Sequence, residues 1–544
     1  MAFVAGSLGT QATYGQEAEA DAHPLGLELQ VLARDLTDGD YHAVLETMIP
    51  TDLAAEWLRV GTPDNHVTFL EAHGGMEKVQ ADPQLKAAYE ERRRIADTFL
   101  ELMRAAYKKR GQRPPFDDEQ LQKLLAGARK NQKAADAALN VAVRVIMPAA
   151  GAEAHWPRFR GPTGQGNVTG TSFPRTWGAS ENIVWKTKIA GRGNSSPVIW
   201  GERIFVTAAS EDGTERSLLC YARSDGRLLW QKTASAPATI EQLYWKNTYA
   251  SSTPVTDGER VIVFFGSSGL FCYDLDGHLL WKQDLGEFVT MHGPGTSPVI
   301  YKDLVIFVQY QNRGDSVFAA FETKTGKPRW RLKPDNQMCW STPVVLRVGV
   351  RDELVYNGSN RVVGYSPDTG NQIWSVAGST HEAIPTIVVG GGLIFSASGR
   401  NGSILAIRPG GSGDVTATHV LWNNPRGGPH VTSPVYYDRK LFLVSDTGVA
   451  SCLDAMTGAT IWQKRLRGRF STSPLEIGGI LLLTNEDGRC FILRAGDKFE
   501  LIAENDLAEN TLATPAILDG RIYFRTAENL ICIGDGATAE KSEN

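Results

Sequence analysis

The feature that most constrains this chain is a dipeptide pattern that recurs eight times between residues 196 and 515. At each recurrence a small hydroxylated or apolar residue precedes a proline, and an apolar strand pattern follows. The eight pairs are Ser196-Pro197, Thr253-Pro254, Ser297-Pro298, Thr342-Pro343, Ile384-Pro385, Ser433-Pro434, Ser473-Pro474 and Thr514-Pro515. They lie 57, 44, 45, 42, 49, 40 and 41 residues apart, close to the period of about 40–45 residues of a four-stranded propeller blade. The spacing predicts a mainly β fold, an eight-bladed β-propeller.

A tryptophan recurs once in each of the first six units and supports the same register. These residues are Trp230, Trp281, Trp330, Trp374, Trp422 and Trp462, and all but Trp422 lie four residues after a turn glycine. The sixth unit reads Cys452-Leu453-Asp454-Ala455-Met456-Thr457-Gly458-Ala459-Thr460-Ile461-Trp462. This pattern resembles the tryptophan-docking repeat of pyrroloquinoline-quinone (PQQ)-type propellers, in which the Trp ring packs between neighbouring blades. The resemblance implies a PQQ-like β-propeller repeat protein.

A second resemblance lies just ahead of the repeats. Residues 155–166 read His155-Trp156-Pro157-Arg158-Phe159-Arg160-Gly161-Pro162-Thr163-Gly164-Gln165-Gly166. This segment resembles the Trp-Pro-x-x-Arg-Gly-Pro lead-in that precedes PQQ-like propellers in planctomycete-type bacterial proteins. Since proline and glycine fix local backbone geometry, we expect a rigid entry segment that lies across the propeller. A functional role for Arg158 or Arg160 is the alternative.

The eighth unit lacks one strand. After Thr514-Pro515 the sequence has two strand patterns but no Trp strand, whereas residues 181–187 carry the missing alternation and Trp185. An open ring would leave unpaired strand edges. We therefore expect this N-terminal segment to complete blade eight and close the propeller.

The spacing of apolar residues divides the chain into five segments. We expect residues 1–22 to be a poorly ordered N-terminus or signal remnant. Residues 23–148 have the three-four-seven spacing that predicts a small all-α domain, with long helices over 85–103 and about 117–145. A Pro/Gly-rich lead-in (149–180), the propeller (181–534) and a polar tail (535–544) follow. The helical domain carries no motif that indicates chemistry.

Composition narrows the class of protein. The formal net charge of −5 and the scattered basic residues disfavour nucleic-acid binding. No apolar run is long enough for a transmembrane span. The first residues make a poor signal peptide, and no cysteine precedes Cys220, so we expect no lipoprotein anchor of the kind found on the barrel-assembly propeller. Family resemblance implies a periplasmic or otherwise exported protein, and a monomer is expected.

The six cysteines are predicted to be free. The small-residue position of the repeat is assigned to Cys220, Cys452, Cys490 and Cys532. Cys272 lies one residue out of step with it, and Cys339 lies outside it. Equivalent positions on neighbouring blades lie farther apart than the roughly 7 Å between Cα atoms that a disulfide tolerates. These thiols are therefore interpreted as small buried packing groups.

Chemistry in a propeller concentrates where the loops between blades ring the axial mouth. The loops expected there combine hydrogen-bond donors, aromatic rings and cations, a set that suits an anionic or planar ligand. The candidate ligand-binding residues are Arg192, Asn247, Tyr249, His292, Trp340, His381, Glu382, His430 and Arg469. The alternative is an ordinary polar rim.

Two functions follow from the resemblance. The first is a non-catalytic propeller that binds or scaffolds a protein, a peptide, or a small anionic or aromatic ligand at its mouth, with no cofactor. The second is a PQQ-dependent dehydrogenase, which would need PQQ and calcium. The sequence lacks the adjacent cysteine pair of the alcohol enzymes, a C-x-x-C-H haem motif and a legible calcium set, so the first is preferred. A hydrolase built on His292, His381 and His430 has no nucleophile motif to support it.

Overall fold

The computed structural model describes residues 86, 89, 90, 143–168, 170, 173–178, 181–334 and 338–534. The chain divides into two units, Met1–Ala137 and Ala138–Asn544. In the first unit only Lys86, Tyr89 and Glu90 are described, and all three are helical. The rest of the predicted helical domain up to residue 142, and the predicted segments 1–22 and 535–544, lie outside the described residues.

The second unit is built from strands. Three short strands come first, β1 (Val143–Val145), β2 (Asn167–Val168) and β3 (Ile183–Lys188), with a 3-10 turn at Ala152–Ala154. Blade 1 contains β4 (Val198–Trp200), β5 (Arg203–Ala209), β6 (Arg216–Ala222) and β7 (Leu228–Thr233). Blade 2 contains β8 (Val255–Thr256), β9 (Arg260–Phe264), β10 (Leu270–Asp274) and β11 (Leu279–Gln283), with a 3-10 turn at Gly266–Ser268. Blade 3 contains β12 (Val299–Tyr301), β13 (Leu304–Gln309), β14 (Val317–Glu322) and β15 (Pro328–Leu332). Strand β16 (Met338–Cys339) precedes blade 4, which contains β17 (Val344–Val348), β18 (Arg351–Asn357), β19 (Arg361–Tyr365) and β20 (Gln372–Ala377).

The remaining blades repeat the pattern. Strand β21 (Glu382–Ala383) pairs in parallel with β16, and blade 5 contains β22 (Val388–Gly390), β23 (Leu393–Ala397), β24 (Gly402–Ile407) and β26 (Val420–Gly428). Between its last two strands lie β25 (Gly413–Asp414), which extends the outer edge of blade 4, and helix α1 (Thr416–His419). Blade 6 contains β27 (Val435–Tyr437), β28 (Lys440–Val444), β29 (Val449–Asp454) and β30 (Thr460–Arg465). Blade 7 contains β31 (Leu475–Ile477), β32 (Ile480–Thr484), β33 (Arg489–Arg494) and β34 (Leu501–Asp506). Blade 8 includes β35 (Ala516–Leu518), β36 (Arg521–Arg525) and β37 (Asn529–Ile533). The mainly β, eight-bladed propeller predicted from the repeat is confirmed.

Blade 8 is completed by the N-terminal strand, as predicted. Strand β3 pairs antiparallel with β37, and Trp185 lies opposite Cys532. The Trp185 indole Nε1 donates to the carbonyl of Arg223 in blade 1 at 3.1 Å. One strand thus joins the last blade to the first.

The blades stack face to face and share their apolar cores. In blade 1 every residue of β6 is buried, whereas β7 is exposed or half-buried along its length. Between blades 2 and 3, Ile262 and Phe264 pack against Val305 and Phe307. Because each blade covers its neighbour, removing one would expose two apolar faces.

The repeated tryptophans bond across these interfaces. The indole of Trp281 donates to the Thr323 carbonyl of the next blade at 2.7 Å, and Trp422 donates to Ala455 at 2.9 Å. The turn glycines lie against these rings: a Cβ on Gly326 would lie 2.7 Å from Trp281. Blade 4 differs, because Trp374 donates at 2.7 Å to the Glu353 carboxylate of its own blade.

The structure corrects the repeat register at three positions. Cys272, which seemed one residue out of step, lies directly opposite Trp281. In blade 7 the equivalent position is Ile492, paired with Ala503, and Cys490 instead lies opposite Asn505. All six cysteines are among the described residues and are buried and free, as predicted. Burial raises the pKa of the Cys452 thiol to about 12, so it stays protonated.

The third correction concerns blade 5. Its innermost strand starts at Val388, two residues after Thr386, just as β4 starts two residues after Ser196. The repeat position is therefore Thr386-Ile387, and Ile384-Pro385 comes two residues too early. The proline signal had shifted the register because blade 5 has isoleucine where the other blades have proline.

The described residues of 143–178 extend the predicted lead-in by one strand and are called the lead-in from here on. They run along the C-terminal ends of the innermost strands. Strand β1 pairs antiparallel with β17 of blade 4, Trp156 forms a bridge with Ile199 of blade 1, and β2 pairs in parallel with β31 of blade 7. The apolar spacing had placed residues 143–145 at the end of a helix, but they form this first strand.

Side chains of the lead-in bond to further blades. The Arg160 guanidinium donates to the Pro434 carbonyl of blade 6. The Gln165 side chain donates to Ile387 O at 3.3 Å and accepts from Val389 N at 2.8 Å in blade 5. The lead-in therefore crosses the centre of the ring and ties blades that are not neighbours. Within the described residues, no helix has the length and apolar character of a membrane span.

Candidate functional site

The repeated hydroxyl side chains meet in a ring around the propeller axis. The eight residues, called the hydroxyl ring, are Ser196, Thr253, Ser297, Thr342, Thr386, Ser433, Ser473 and Thr514, and all of them line one cavity. The backbone N–H of Ser196 donates to Thr253 Oγ1 at 3.0 Å, and the N–H of Thr253 donates to Ser297 Oγ at 3.0 Å. The same bond recurs from Ser297 to Thr342, from Thr386 to Ser433, from Ser433 to Ser473 and from Ser473 to Thr514. Six of the eight hydroxyls thus each satisfy a backbone N–H of the preceding blade.

The hydroxyl ring surrounds a cavity of about 860 Å³ on the propeller axis. This volume lies within the range of about 300–1,000 Å³ usual for ligand pockets. The ring residues precede the innermost strands, and the lead-in binds at the opposite, C-terminal ends of those strands. Phe159 of the lead-in is itself part of the cavity lining. The lead-in therefore forms part of the cavity wall at the end opposite the loops.

Aromatic side chains form one side of the entrance. Tyr244 packs edge-on against His292 with ring centroids 5.2 Å apart, and His292 lies 5.1 Å from Trp340. The Trp340 indole donates to Gly293 O at 3.0 Å, which fixes its ring. Trp245 and Met291 beside this stack are 73% and 58% exposed. Such exposed apolar groups at a cavity entrance are typical of binding surfaces.

An ion pair spans the rim of the cavity. The Lys246 ammonium, on the loop between blades 1 and 2, lies 2.7 Å from Glu486 Oε2 of blade 7. The Ser471 hydroxyl donates to the same carboxylate at 2.7 Å. Arg469, which also lines the cavity, has no carboxylate partner among the described residues. The rim therefore presents one neutralised pair and one unpaired cation.

A second charged cluster lies beside the entrance. The Glu382 carboxylate, which is buried, accepts from Arg400 Nε at 2.6 Å and lies 3.3 Å from His430 Nε2. Burial alone would raise the pKa of Glu382, but the Arg400 hydrogen bond and charge, with His430 and His381, hold it below its usual value. This carboxylate is therefore ionised and neutralised by its neighbours.

The structure brings five of the nine candidate residues together in the cavity lining: Asn247, His292, Trp340, His430 and Arg469. The other four lie outside it. Arg192 pairs with Glu211 on the surface. The Arg216 guanidinium lies over the Tyr249 ring, 4.7 Å from the ring centroid. Glu382 lies behind Arg400, and the His381 side chain is largely exposed.

Lys246, Glu486 and the hydroxyl ring were missed as site residues. The lysine and the glutamate are 240 residues apart, so no local pattern links them. The hydroxyl ring did leave a signal, because its members are the repeated residues themselves. A side chain that recurs before every innermost strand must face the axis in every blade.

The cavity residues do not fit a calcium-bound quinone. Calcium takes six or more oxygen ligands, with carboxylates prominent among them. The cavity lining contains two carboxylates, and both are engaged: Asp446 accepts from the N–H groups of His430 and Val431, and Glu486 binds Lys246. In the part of the chain that the structure describes, no three His, Cys, Asp or Glu side chains lie close enough together to hold a metal ion.

The fold and the cavity define a PQQ-like β-propeller with an axial cavity. A family model described as outer membrane protein assembly factor BamB matches residues 176–243, 220–433 and 400–502, which together cover more than half of the chain. The chain belongs to this family.

Individual relatives match less of the chain or match it at low identity. The outer membrane protein assembly factor BamB of Alkalilimnicola ehrlichii is 33% identical over 87 residues, which make up 16% of this chain and 22% of that protein. The chain thus matches less than a quarter of the length of that relative. The crystal structure of quinohemoprotein alcohol dehydrogenase from Comamonas testosteroni is 12% identical, with a TM-score of 0.53, over 76% of this chain and 85% of that chain. A quinohemoprotein alcohol dehydrogenase from Pseudomonas putida HK5 is also 12% identical, with a TM-score of 0.51, over 72% of this chain and 82% of that chain. At this identity the two enzymes show the shared fold alone.

Proposed function

We propose that this protein is a non-catalytic binding module whose axial cavity takes a segment of a partner polypeptide. The observation that carries the proposal is the entrance: an axial cavity of about 860 Å³ opens beside the exposed side chain of Trp245. The name of the relative, outer membrane protein assembly factor, favours a protein partner in the cell envelope. The protein would act there as an exported scaffold without a cofactor.

The chemistry of the rim supports a polypeptide ligand. Interface hot spots are enriched in Trp, Tyr and Arg, and Trp245, Tyr244 and Arg469 stand at this entrance. Trp245 is 73% exposed, although an aromatic side chain can bury about 150–250 Å² of its surface in a contact. A partner that covers this ring would recover an apolar contact that the free protein leaves open.

Site-specific photo-crosslinking in the cells that encode the protein tests this proposal. A benzophenone amino acid at position 245 is expected to give a discrete adduct with a polypeptide, identified by mass spectrometry. Position 350 is the matched control, since Val350 is 97% exposed but lies in the turn between β17 and β18, away from the cavity lining. Equal adducts from both positions, or none from position 245, would contradict the proposal.

An activity assay tests the alternative directly. Purified full-length protein supplied with PQQ and calcium is expected to leave an artificial electron acceptor unreduced in the presence of alcohols or aldoses. Quinone-dependent turnover above background would overturn the non-catalytic assignment.

A further inference from the structure

The hydroxyl ring holds O–H donors for which the described residues supply no acceptor. Six of its eight oxygens accept a backbone N–H from the preceding blade. Among the described residues, none of the eight O–H groups has an acceptor of its own. Seven of the ring residues are at least nine-tenths buried, and all eight face the cavity. Because these hydroxyls line the cavity, each can donate to a ligand that supplies acceptors in place of water.

Buried cations lie directly behind the ring. Arg525 is 2% exposed and donates to Ser195 Oγ at 3.0 Å, next to Ser196. Arg160 is fully buried and donates to Pro434 O, next to Ser433. Arg158 is 6% exposed and borders a small space that is also lined by Ser297, Thr342 and Thr386.

These three arginines have no counter-charge bonded to them among the described residues. Their partners are carbonyl and hydroxyl oxygens, and none of them has a carboxylate partner in the described part of the chain. Burial lowers the pKa of Arg160 to about 9, and of Arg158 and Arg525 to about 10, so all three carry charge at neutral pH. Buried charge is normally paired. The positive potential behind the ring therefore favours an anion in the cavity over a cation.

The shape of the cavity selects one kind of anion-bearing segment. The lead-in pairs with blades 4 and 7 and contributes Phe159 to the lining, so it stands in the path of a polypeptide through the ring. A chain end can reach the ring from the entrance, whereas the middle of a chain would have to fold back on itself. The group at a chain end that offers only acceptors is the C-terminal carboxylate.

We propose that the hydroxyl ring binds the C-terminal carboxylate of a partner polypeptide. This inference rests on the proposed function, since it assumes that a polypeptide enters the cavity. The carboxylate accepts hydrogen bonds from the ring, Arg469 at the rim attracts it, and the preceding side chains pack against Tyr244 and Trp245.

Two pools of random dodecapeptides, one with free C-terminal carboxylates and one with C-terminal amides, provide the test. Each pool is passed over immobilised full-length protein, and bound peptides are counted by mass spectrometry. The acid pool is expected to be enriched about tenfold or more over the amide pool, as charge-assisted hydrogen bonds require. The double variant Ser196→Ala/Thr386→Val is expected to abolish this preference. In the structure these two hydroxyls accept no N–H, so their removal leaves the ring bonds between blades intact.

Two controls separate the ring from general effects. Thr386→Ser keeps the hydroxyl and is expected to keep the preference. Ser396→Ala removes a buried hydroxyl that lies outside the cavity lining and donates to Asn357 Oδ1 at 2.9 Å. This variant is expected to keep the preference for the acid pool. Equal enrichment of acid and amide pools would overturn the inference while leaving the proposed function in place. Enrichment of neither pool, with inorganic phosphate retained in equilibrium dialysis, would overturn both.

Discussion

The Lys246 ammonium lies 2.7 Å from the Glu486 carboxylate and joins the loop between blades 1 and 2 to blade 7 across the rim of the cavity. The two side chains are 22% and 16% exposed, so solvent screens the pair only partly. A double-mutant cycle with Lys246→Met and Glu486→Gln is expected to give a coupling energy of about 1–2 kcal/mol.

The exposed pair Lys333–Asp315, with side chains 73% and 71% exposed, is the matched control and is expected to show no measurable coupling. Hydrogen exchange of the amides in residues 244–249 should accelerate in either single variant at the rim. Unchanged exchange there would mean that the ion pair does not hold the loop.

Closure of the ring depends on Trp185. This residue is 9% exposed, lies opposite Cys532 and bonds to blade 1. Trp185→Ala should destabilise the propeller by about 3–5 kcal/mol, the usual loss for a buried aromatic side chain. Trp245→Ala, which removes a ring that is 73% exposed, is expected to leave the thermal midpoint unchanged. Similar midpoints for the two variants would contradict ring closure by β3.

The loop that carries Lys246 is anchored by a buried ion pair. Arg216 and Glu241, 1% and 0% exposed, form two hydrogen bonds of 2.7 Å. Glu241→Gln should cost about 3–5 kcal/mol, because it leaves the Arg216 charge buried without a counter-charge. Denaturant unfolding measures this loss, and Glu211→Gln in the exposed pair with Arg192 is the control that should have no effect. The double variant Arg216→Met/Glu241→Leu should recover much of the lost stability.

Acidification should loosen the aromatic side of the entrance. Burial lowers the pKa of His292 from its usual value of about 6.5; Glu382 opposes this shift, and Arg400 and His430 add to it. The unfolded chain therefore binds the proton more readily than the folded chain. The stabilising contribution of neutral His292 is complete above about pH 6.5 and is lost as the pH falls from there through the folded pKa.

Thermal midpoints of the wild type and His292→Phe, measured between pH 7.5 and 5, test this sign. The variant keeps an aromatic ring between Tyr244 and Trp340 but cannot titrate. The difference between the two proteins should shift in favour of the variant as the pH falls. A difference that does not depend on pH would show that protonation of His292 has no part in the entrance.

The repeat carried enough information to predict the architecture. The repeated Ser-Pro and Thr-Pro pairs and the tryptophans predicted the number of blades and the closure by the N-terminal strand, because both features recur wherever one blade meets the next. In blade 5 the register was assigned wrongly, because Pro385 was taken as the repeat proline and the true repeat position is Thr386-Ile387. Cys490 was misplaced for a similar reason, because blade 7 has Ala503 where other blades have tryptophan.

The candidate site was only partly predictable. Loop position alone brought His292, Trp340 and Arg469 to the cavity, but it could not separate rim residues from those turned outward, such as Arg192. Ion pairs between distant blades depend on the whole ring. Lys246 and Glu486 are therefore recognisable only once the ring is closed.

The split eighth blade sets the order in which the chain can mature. Strand β3 leaves the ribosome before any blade, yet its partner β37 is nearly the last described segment to be made. During synthesis β3 stays unpaired until β37 is made, and the last completed blade has one face that no neighbouring blade covers. A chain that terminates before Asn529 leaves both β3 and β36 as bare edges, the kind of surface that aggregates. Synthesis of β37 is therefore the step after which the ring can close.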